Sequence, residues 1–352
     1  MPFQTETLVE VIRGGRLESE HRGAIAVVNA AGKLIARVGD VNLTTYLRSS
    51  AKPYQLLPLV ESGAADRFGF TDQELAIMAG SHSGEARHVE VVQSILNKIG
   101  LKEEALQCGA HVPYSSESAN TLSSRGKAPT PIYNNCSGKH SGMLAAAIDR
   151  GLSTHDYLDP NHPIQITIRE AIADVSGVPI DQVGVCIDGC SAPNFALPLK
   201  AAALAFAKLA ESLPPFTGGD QAGGSPRRMA LARIAHAMST YPEMVAGEKR
   251  LDTDLMRAVN GRVVSKGGAE GFHGLGIFST DGKPAVGLAM KIGDGDGKRG
   301  GHPAVIEALR QLDVLSEKEL EALKEYRGWK LTNHRGTEVG DVRAKFEMLF
   351  AR

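Results

Sequence analysis

Hydrophobic positions follow two different periods along the chain. Near the start, Val9 and Val11 alternate with Glu10 and Ile12 in a short strand-like run. Gly23–Ala30 and Lys33–Val38 read as two more strands around Ala31-Gly32, a hairpin in which glycine supplies the turn. The period then changes. Between Thr44 and Ser62, the residues Leu56, Leu57, Leu59 and Val60 predict a mostly buried helix starting near Ser49, with Pro53 tolerated because the first helical turn has spare N–H groups. Helical spacing recurs over Asp72–Ala79 after Thr71, and over His88–Ile99 with Val89, Val92 and Leu96 on one side. It recurs again over Gly142–Leu152, Pro163–Val175, Leu199–Leu213 and from Ser225-Pro226 to Thr240. Ser316 with Glu319 matches a capping box that opens a helix to Tyr326. Gly274–Thr280 and Ala285–Ile292 flank Asp281-Gly282, a hairpin signal, and 337–349 suggests a last strand. Residues 107–128 read as polar and turn-rich, 183–198 as a strand running into a loop, and 214–225 as a flexible loop. Strands at both ends with helices between them, and no regular βαβ alternation, predict an α/β fold with an antiparallel sheet flanked by helices. We expect a single domain over 1–352 with room for two lobes.

Composition narrows the function classes. The 352 residues carry 39 Lys+Arg against 40 Asp+Glu, a net charge of −1, which argues against nucleic acid as a partner. A hydrophobic share of 42% excludes disorder as the main state. Lys200 and Lys208 interrupt the longest apolar stretch, Ala196–Ala210, so no membrane span is expected. The opening MPFQTETLVEVIRGG lacks the apolar core of a signal peptide, and four cysteines read as reduced thiols, so the expected location is cytoplasmic.

Candidate chemistry lies in the polar interruptions. Ser49 and Lys52 stand three apart at a helix start, about one turn, so a desolvated amine can deprotonate the hydroxyl; S-x-x-K is the pattern of serine acyl-transfer enzymes. In such enzymes a downstream Lys followed by a small residue and Gly lies on an edge strand, and Ser265-Lys266-Gly267-Gly268 fits that description; the bland alternative is a glycine turn with a solvated lysine. Gly80-Ser81-His82-Ser83-Gly84-Glu85 follows an apolar helix and reads either as hydroxyls offered into a pocket or as a turn with a helix cap. Cys136 and Cys190 lie in polar loops and are thiolates able to share a soft metal with two other ligands, whereas Cys186 is expected in the core and the Cys108–His111 segment is either a further cluster or a packed loop. Gly295–Gly300 matches G-x-G-x-x-G, yet Asp294 and Asp296 would repel phosphate, so it reads as an exposed turn before a helix at His302-Pro303.

Six segments in order resemble the rhizobial-type, or third-class, L-asparaginase family over nearly the whole chain. They are RSSAKP at 48–53, GSHSGE at 80–85, CGAHVP at 108–113, NNCSGKHSGM at 134–143, DGCSAPNFALPL at 188–199 and SKGGAEG at 265–271. The resemblance implies the fold of serine β-lactamases and serine-dependent glutaminases, a homodimer, and hydrolysis of the side-chain amide of L-asparagine to L-aspartate and ammonia. It implies two Ser–Lys pairs, Ser49 with Lys52 and Ser81 with Lys266. It also implies a zinc ion next to the active centre, held by Cys136, Lys139 and Cys190, with Asp188 as an outer or water-mediated partner. Ser49 is then the expected nucleophile and Lys52 its base, with Ser81 as the alternative nucleophile. The substrate's carboxylate and ammonium each need a partner, and Arg48 and Glu270 are the candidates. A serine-dependent glutaminase, a β-lactamase-like hydrolase and a zinc-dependent amidohydrolase with water as nucleophile are the rival activities.

Overall fold

A computed structural model describes residues 4–212, 224–280 and 283–351. The expected loop at 214–225 falls mostly outside these residues, and so does the Asp281-Gly282 turn. The chain forms two units, the first from Met1–Ser50, Ala196–Glu211 and Asp254–Arg352, the second from Ala51–Phe195 and Ser212–Thr253.

The first unit is built on an antiparallel sheet, as the alternating runs predict. Its strand order is Gly328–Thr332, Glu338–Ala344, Glu6–Arg13, Arg16–Asn29, Val286–Ile292, Phe272–Ile277 and Val263–Gly267, with Leu34–Val38 also paired to Arg16–Asn29 and Leu349–Phe350 paired to Leu34–Val38. The Ala31-Gly32 hairpin is present, with Ile25 opposite Val38. A second hairpin through Gly14-Gly15, unmarked in the sequence reading, joins the first two strands, with Arg13 opposite Arg16. Ala24–Val28 are buried, a run without alternation because both faces of the long strand are covered. The Ala-rich helix Leu199–Glu211 packs on Arg16–Asn29, Phe272–Ile277 and Val286–Ile292, its small residues allowing close approach. Val263–Gly267, which carries Ser265 and Lys266, is an edge of this sheet, as the downstream Lys motif requires.

The second unit is mainly helical. Asp72–Met78 begins at Thr71 with the full capping box, Thr71 accepting from Glu74 N–H while the Glu74 carboxylate accepts from Thr71 N–H. This helix packs against Pro226–Thr240, Ser137–Asp149 and Ala86–Lys98. Five expectations need correction. The helix expected from Gly142 begins at Ser137, because glycines and serines that look loop-like in sequence are buried here, and packing overrides their weak propensity. A helix, Ser116–Ser124, lies within the stretch read as turns, capped by Ser115. The segment 183–198, expected as a strand running into a loop, ends in a second strand, Pro193–Pro198, and Cys186 is half-buried on Gly184–Ile187 rather than in the core. The segment 44–62 starts as a strand, Thr44–Tyr46, then turns through a 3-10 stretch, Arg48–Ala51, into the short helices Lys52–Gln55 and Leu57–Glu61.

Candidate active site

Within the second unit the chemistry gathers around Lys52. Its side chain is buried at the first turn of Lys52–Gln55, and Nζ lies 2.8 Å from Ser81 Oγ, 2.7 Å from Gly80 O and 3.2 Å from Asn135 O. These three acceptors satisfy an ammonium. A neutral amine in the same place keeps two N–H groups for the carbonyls and turns its lone pair to the Ser81 hydroxyl. Burial pushes Lys52 below its ordinary pKa; charge on Cys136 opposes that shift and Lys139 reinforces it. Ser81 is fixed by its own backbone, whose N–H donates to Val245 O at 2.6 Å.

The next residue, His82, is locked in one neutral tautomer. Gly84 N–H donates to Nδ1 at 3.1 Å, so Nε2 carries the proton and donates to Ser137 Oγ at 2.9 Å. Ser137 Oγ in turn donates to Ile132 O. The chain of bonds ties the Ser81 loop to the start of Ser137–Asp149. This role is not legible in the sequence, although His82 lies inside the Gly80–Glu85 segment.

That helix start carries the thiol cluster. Cys136 is its N-cap, and Lys139 one turn on donates to Cys190 Sγ at 3.0 Å. Hydrogen bonding from Cys136 pulls Cys190 far below the usual thiol range, against burial and with help from Lys139. Cys136 is pushed up by that same bond and by burial. Burial disfavours the Lys139 ammonium, but the charge of Cys190 outweighs it and holds Lys139 above its ordinary value. The cluster is therefore an ammonium–thiolate pair with a second thiol donating to it. Asp188 is half-buried, and its charge also favours the Lys139 ammonium. His140 was not a sequence candidate. Gln107 N–H donates to the Tyr157 hydroxyl, leaving the phenolic proton for His140 Nδ1 at 2.7 Å. His140 Nε2 then carries a hydrogen and is buried facing Cys190, whose charge favours the protonated ring while burial disfavours it.

Two thiols and a lysine amine, once Cys136 and Lys139 give up their protons, have the soft-to-borderline donor chemistry that suits zinc. Among the described residues no group of three or more His, Cys, Asp and Glu side chains is set to hold a metal. A set with two cysteines and a lysine as ligands does not need such a group, so the donors present fit the ion the resemblance implies. Cys108 lies outside the cluster: it is buried, with Sγ 3.5 Å from Pro131 O, and burial pushes its thiol up to about 12.

The first unit holds the remaining candidates. Arg48 and Glu270 both have left-handed backbones, φ 51° and 59°, and their charged groups approach to 3.9 Å. Non-glycine residues in that region are uncommon and gather at functional sites. Ser49 is half-buried in the 3-10 turn. Ser50, not singled out in the sequence, is fully buried and donates to Lys266 O at 2.5 Å, which binds the Arg48–Ala51 turn to the edge strand. A Cβ on Gly268 would lie 2.6 Å from Leu47 O, so this position must be glycine for turn and strand to approach. Lys266 Nζ is buried and donates to Gly267 O at 2.7 Å.

The fold and these clusters define an α/β protein with a buried, lysine-paired serine. The L-asparaginase II family profile matches residues 9–344, and the chain belongs to that family. It is an amidohydrolase of the asparaginase and glutaminase type. The comparison with curated proteins gave no match. Among solved structures, a probable glutaminase from Bacillus subtilis complexed with 6-diazo-5-oxo-L-norleucine is similar at 12% identity, covering 83% of this chain and 84% of that one, with a TM-score of 0.37. A Bacillus glutaminase is similar at 11% identity, covering 83% and 91%, with a TM-score of 0.36. At these scores the likeness says nothing about chemistry.

Proposed function

We propose that this chain is an L-asparagine amidohydrolase working through serine and lysine. The observation that supports a lysine-activated serine is the buried Lys52 amine, lowered in pKa and 2.8 Å from the Ser81 hydroxyl. Ser49, placed by the S-x-x-K spacing, attacks the side-chain amide carbon, and Lys52 takes its proton. The C–N bond breaks and ammonia leaves with the proton Lys52 returns. Water then attacks the aspartyl ester, giving its proton to the same amine; the ester C–O bond breaks, and Ser49 recovers its proton as L-aspartate departs. Ser81 and Lys266 relay protons and orient substrate. Arg48 and Glu270 receive the substrate's carboxylate and ammonium.

A second reading makes Ser81 the nucleophile, favoured by its direct contact with Lys52. A diazoketone analogue of asparagine tests both. Peptide mapping that finds the label on Ser49 supports the first reading, on Ser81 the second, and on neither serine sinks both. Ammonia release from L-asparagine beside L-glutamine tests the substrate: equal kcat/KM for the two amides removes asparagine specificity.

Zinc, in this proposal, is held by Cys136, Cys190 and Lys139, with Asp188 beyond them. When bound it supplies positive charge for positioning substrate, since a serine already provides the nucleophile. Thiol usage favours the cytoplasm, and the family resemblance favours a homodimer, which light scattering on the purified protein tests. Among the described residues no helix is long and apolar enough to cross a membrane.

A further inference from the structure

Glu270 presents a physical problem. Its side chain is 70% exposed, and Arg48 approaches the carboxylate only to 3.9 Å, so side-chain contacts hold it weakly. Its direction therefore depends mainly on its backbone, which sits in the left-handed region that L-residues avoid. Something must hold it there.

Lys291 lies on Val286–Ile292, opposite Phe272 in the neighbouring strand. Its ammonium does not extend into solvent. It folds back and donates to Glu270 O at 2.6 Å and to Ile292 O. A lysine restrained in this way gives up rotamer freedom. The next residue is fastened too, since Ile292 N–H donates to Gly271 O at 2.9 Å. The turn Gly293–Gly297 also reaches Glu270. Gly295 has φ 83°, and a Cβ there would lie 2.8 Å from Glu270 Oε2. The turn is itself anchored: Asp294 Oδ1 accepts from Asp296 N–H at 3.0 Å, and Asp294 Oδ2 lies 2.7 Å from the buried His21 Nδ1. Its far end, the π-helical turn Gly297–Gly301, closes with Gly300 and Gly301 buried.

We infer that Lys291 is a positioning residue for substrate recognition, holding the backbone of Glu270 so that its carboxylate stands ready for the ammonium of an α-amino acid, with Gly295 leaving room for it. The inference rests on the reading of Glu270 as the ammonium partner. Lys291 touches neither substrate nor reacting atoms, so its loss weakens binding and spares the chemical steps.

The test is steady-state kinetics of ammonia release from L-asparagine by the full-length protein and four variants: Lys291→Met, Lys291→Arg, Glu270→Gln and the double variant K291M/E270Q. K291M is expected to raise KM about tenfold with kcat within about threefold, and Lys291→Arg, which keeps a donor, to recover most of the loss. Glu270→Gln is expected to raise KM at least as much, and the double variant to be no worse than E270Q alone. If the two effects multiply, or K291M lowers kcat rather than raising KM, Lys291 does not act through Glu270 and the inference is overturned while the reading of Glu270 stands. If E270Q leaves KM unchanged, the reading of Glu270 fails and the inference goes with it. Should K291M not fold, as judged by circular dichroism, Gly295→Ala crowds the same carboxylate from the turn side. It predicts the same selective rise in KM, and an unchanged KM there overturns the inference.

Discussion

His82 gives a stability prediction whose size follows from proton linkage. Its Nδ1 accepts from a backbone N–H and its Nε2 donates to Ser137 Oγ, so a second proton would have to displace the Gly84 bond in a dry interior. Burial pushes the imidazole well below its usual pKa, and charge on His88 and Lys52 pushes it the same way. The folded value is therefore below the unfolded one, about 6.5. Above that pH both states are neutral and His82 adds no pH dependence. As pH falls below it, the unfolded chain binds a proton that the folded chain refuses, and stability is lost. Between pH 7.5 and 5.5 the loss from one such histidine is about 1.4 kcal/mol. Replacing His82 by Gln removes the titration while keeping a side-chain amide able to donate toward Ser137. The variant will be less stable throughout, because the Gly84 N–H loses its acceptor. Between those two pH values, however, it should lose about 1.4 kcal/mol less than the wild type, with other titrating groups cancelling in the difference. Urea unfolding followed by far-ultraviolet circular dichroism measures this. Fluorescence is the wrong probe, because the single tryptophan, Trp329, lies in the first unit. Parallel pH curves for the two proteins would show that the native state protonates His82 freely and would refute the locked tautomer.

Three further outcomes follow. Gly268→Ala places a Cβ 2.6 Å from Leu47 O, a backbone atom, so turn and strand must separate; we expect about 1–3 kcal/mol of lost stability and at least a tenfold fall in kcat/KM, and an unchanged melt would contradict the close approach. Ser50→Ala removes a buried 2.5 Å bond to Lys266 O and should lower the urea-derived stability by about 1–2 kcal/mol; a change below 0.5 kcal/mol, on the same order-of-magnitude scale, would mean the carbonyl finds another partner. Elemental analysis of purified protein should find zinc in the wild type and in Cys108→Ser but not in Cys136→Ser or Cys190→Ser, since Cys108 stands apart from the cluster; zinc kept by both of the latter variants removes the proposed ligand set.

Much of the fold was legible because its signals are local. The Thr71 helix start, the Ser316 capping box, the Pro226 helix start and the alternating strands are written in neighbouring residues, and each stands where expected. Failures occurred where packing overrules propensity. Ser137–Asp149 begins with Ser-Gly-Lys-His-Ser-Gly, a poor helical sequence, yet every residue from Ser137 to Ala147 is buried and the helix holds. The Gly14-Gly15 hairpin was missed because glycine marks loops and hairpins alike, and the strand Pro193–Pro198 because its pairing partner is distant in sequence. The site was legible as a set of motifs and less so as a set of partners. Lys52 was expected beside Ser49 from spacing, but its contact with Ser81 joins residues 29 apart, and no local pattern reports such a pairing. Ser50, His82 and His140 carry no chemical signature in sequence. Their roles come from burial and from which nitrogen or oxygen has a partner.

The central claim is that a lysine-activated serine hydrolyses the asparagine amide. Ammonia release from L-asparagine should be measured for the wild type, Ser49→Ala, Ser81→Ala and Lys52→Met, with circular dichroism confirming that each is folded. The account predicts rapid release by the wild type and a loss of at least about a thousandfold in kcat for Lys52→Met and for whichever serine bears the acyl group. Release that persists in folded Lys52→Met and in both serine variants would contradict it and move the chemistry to a different nucleophile.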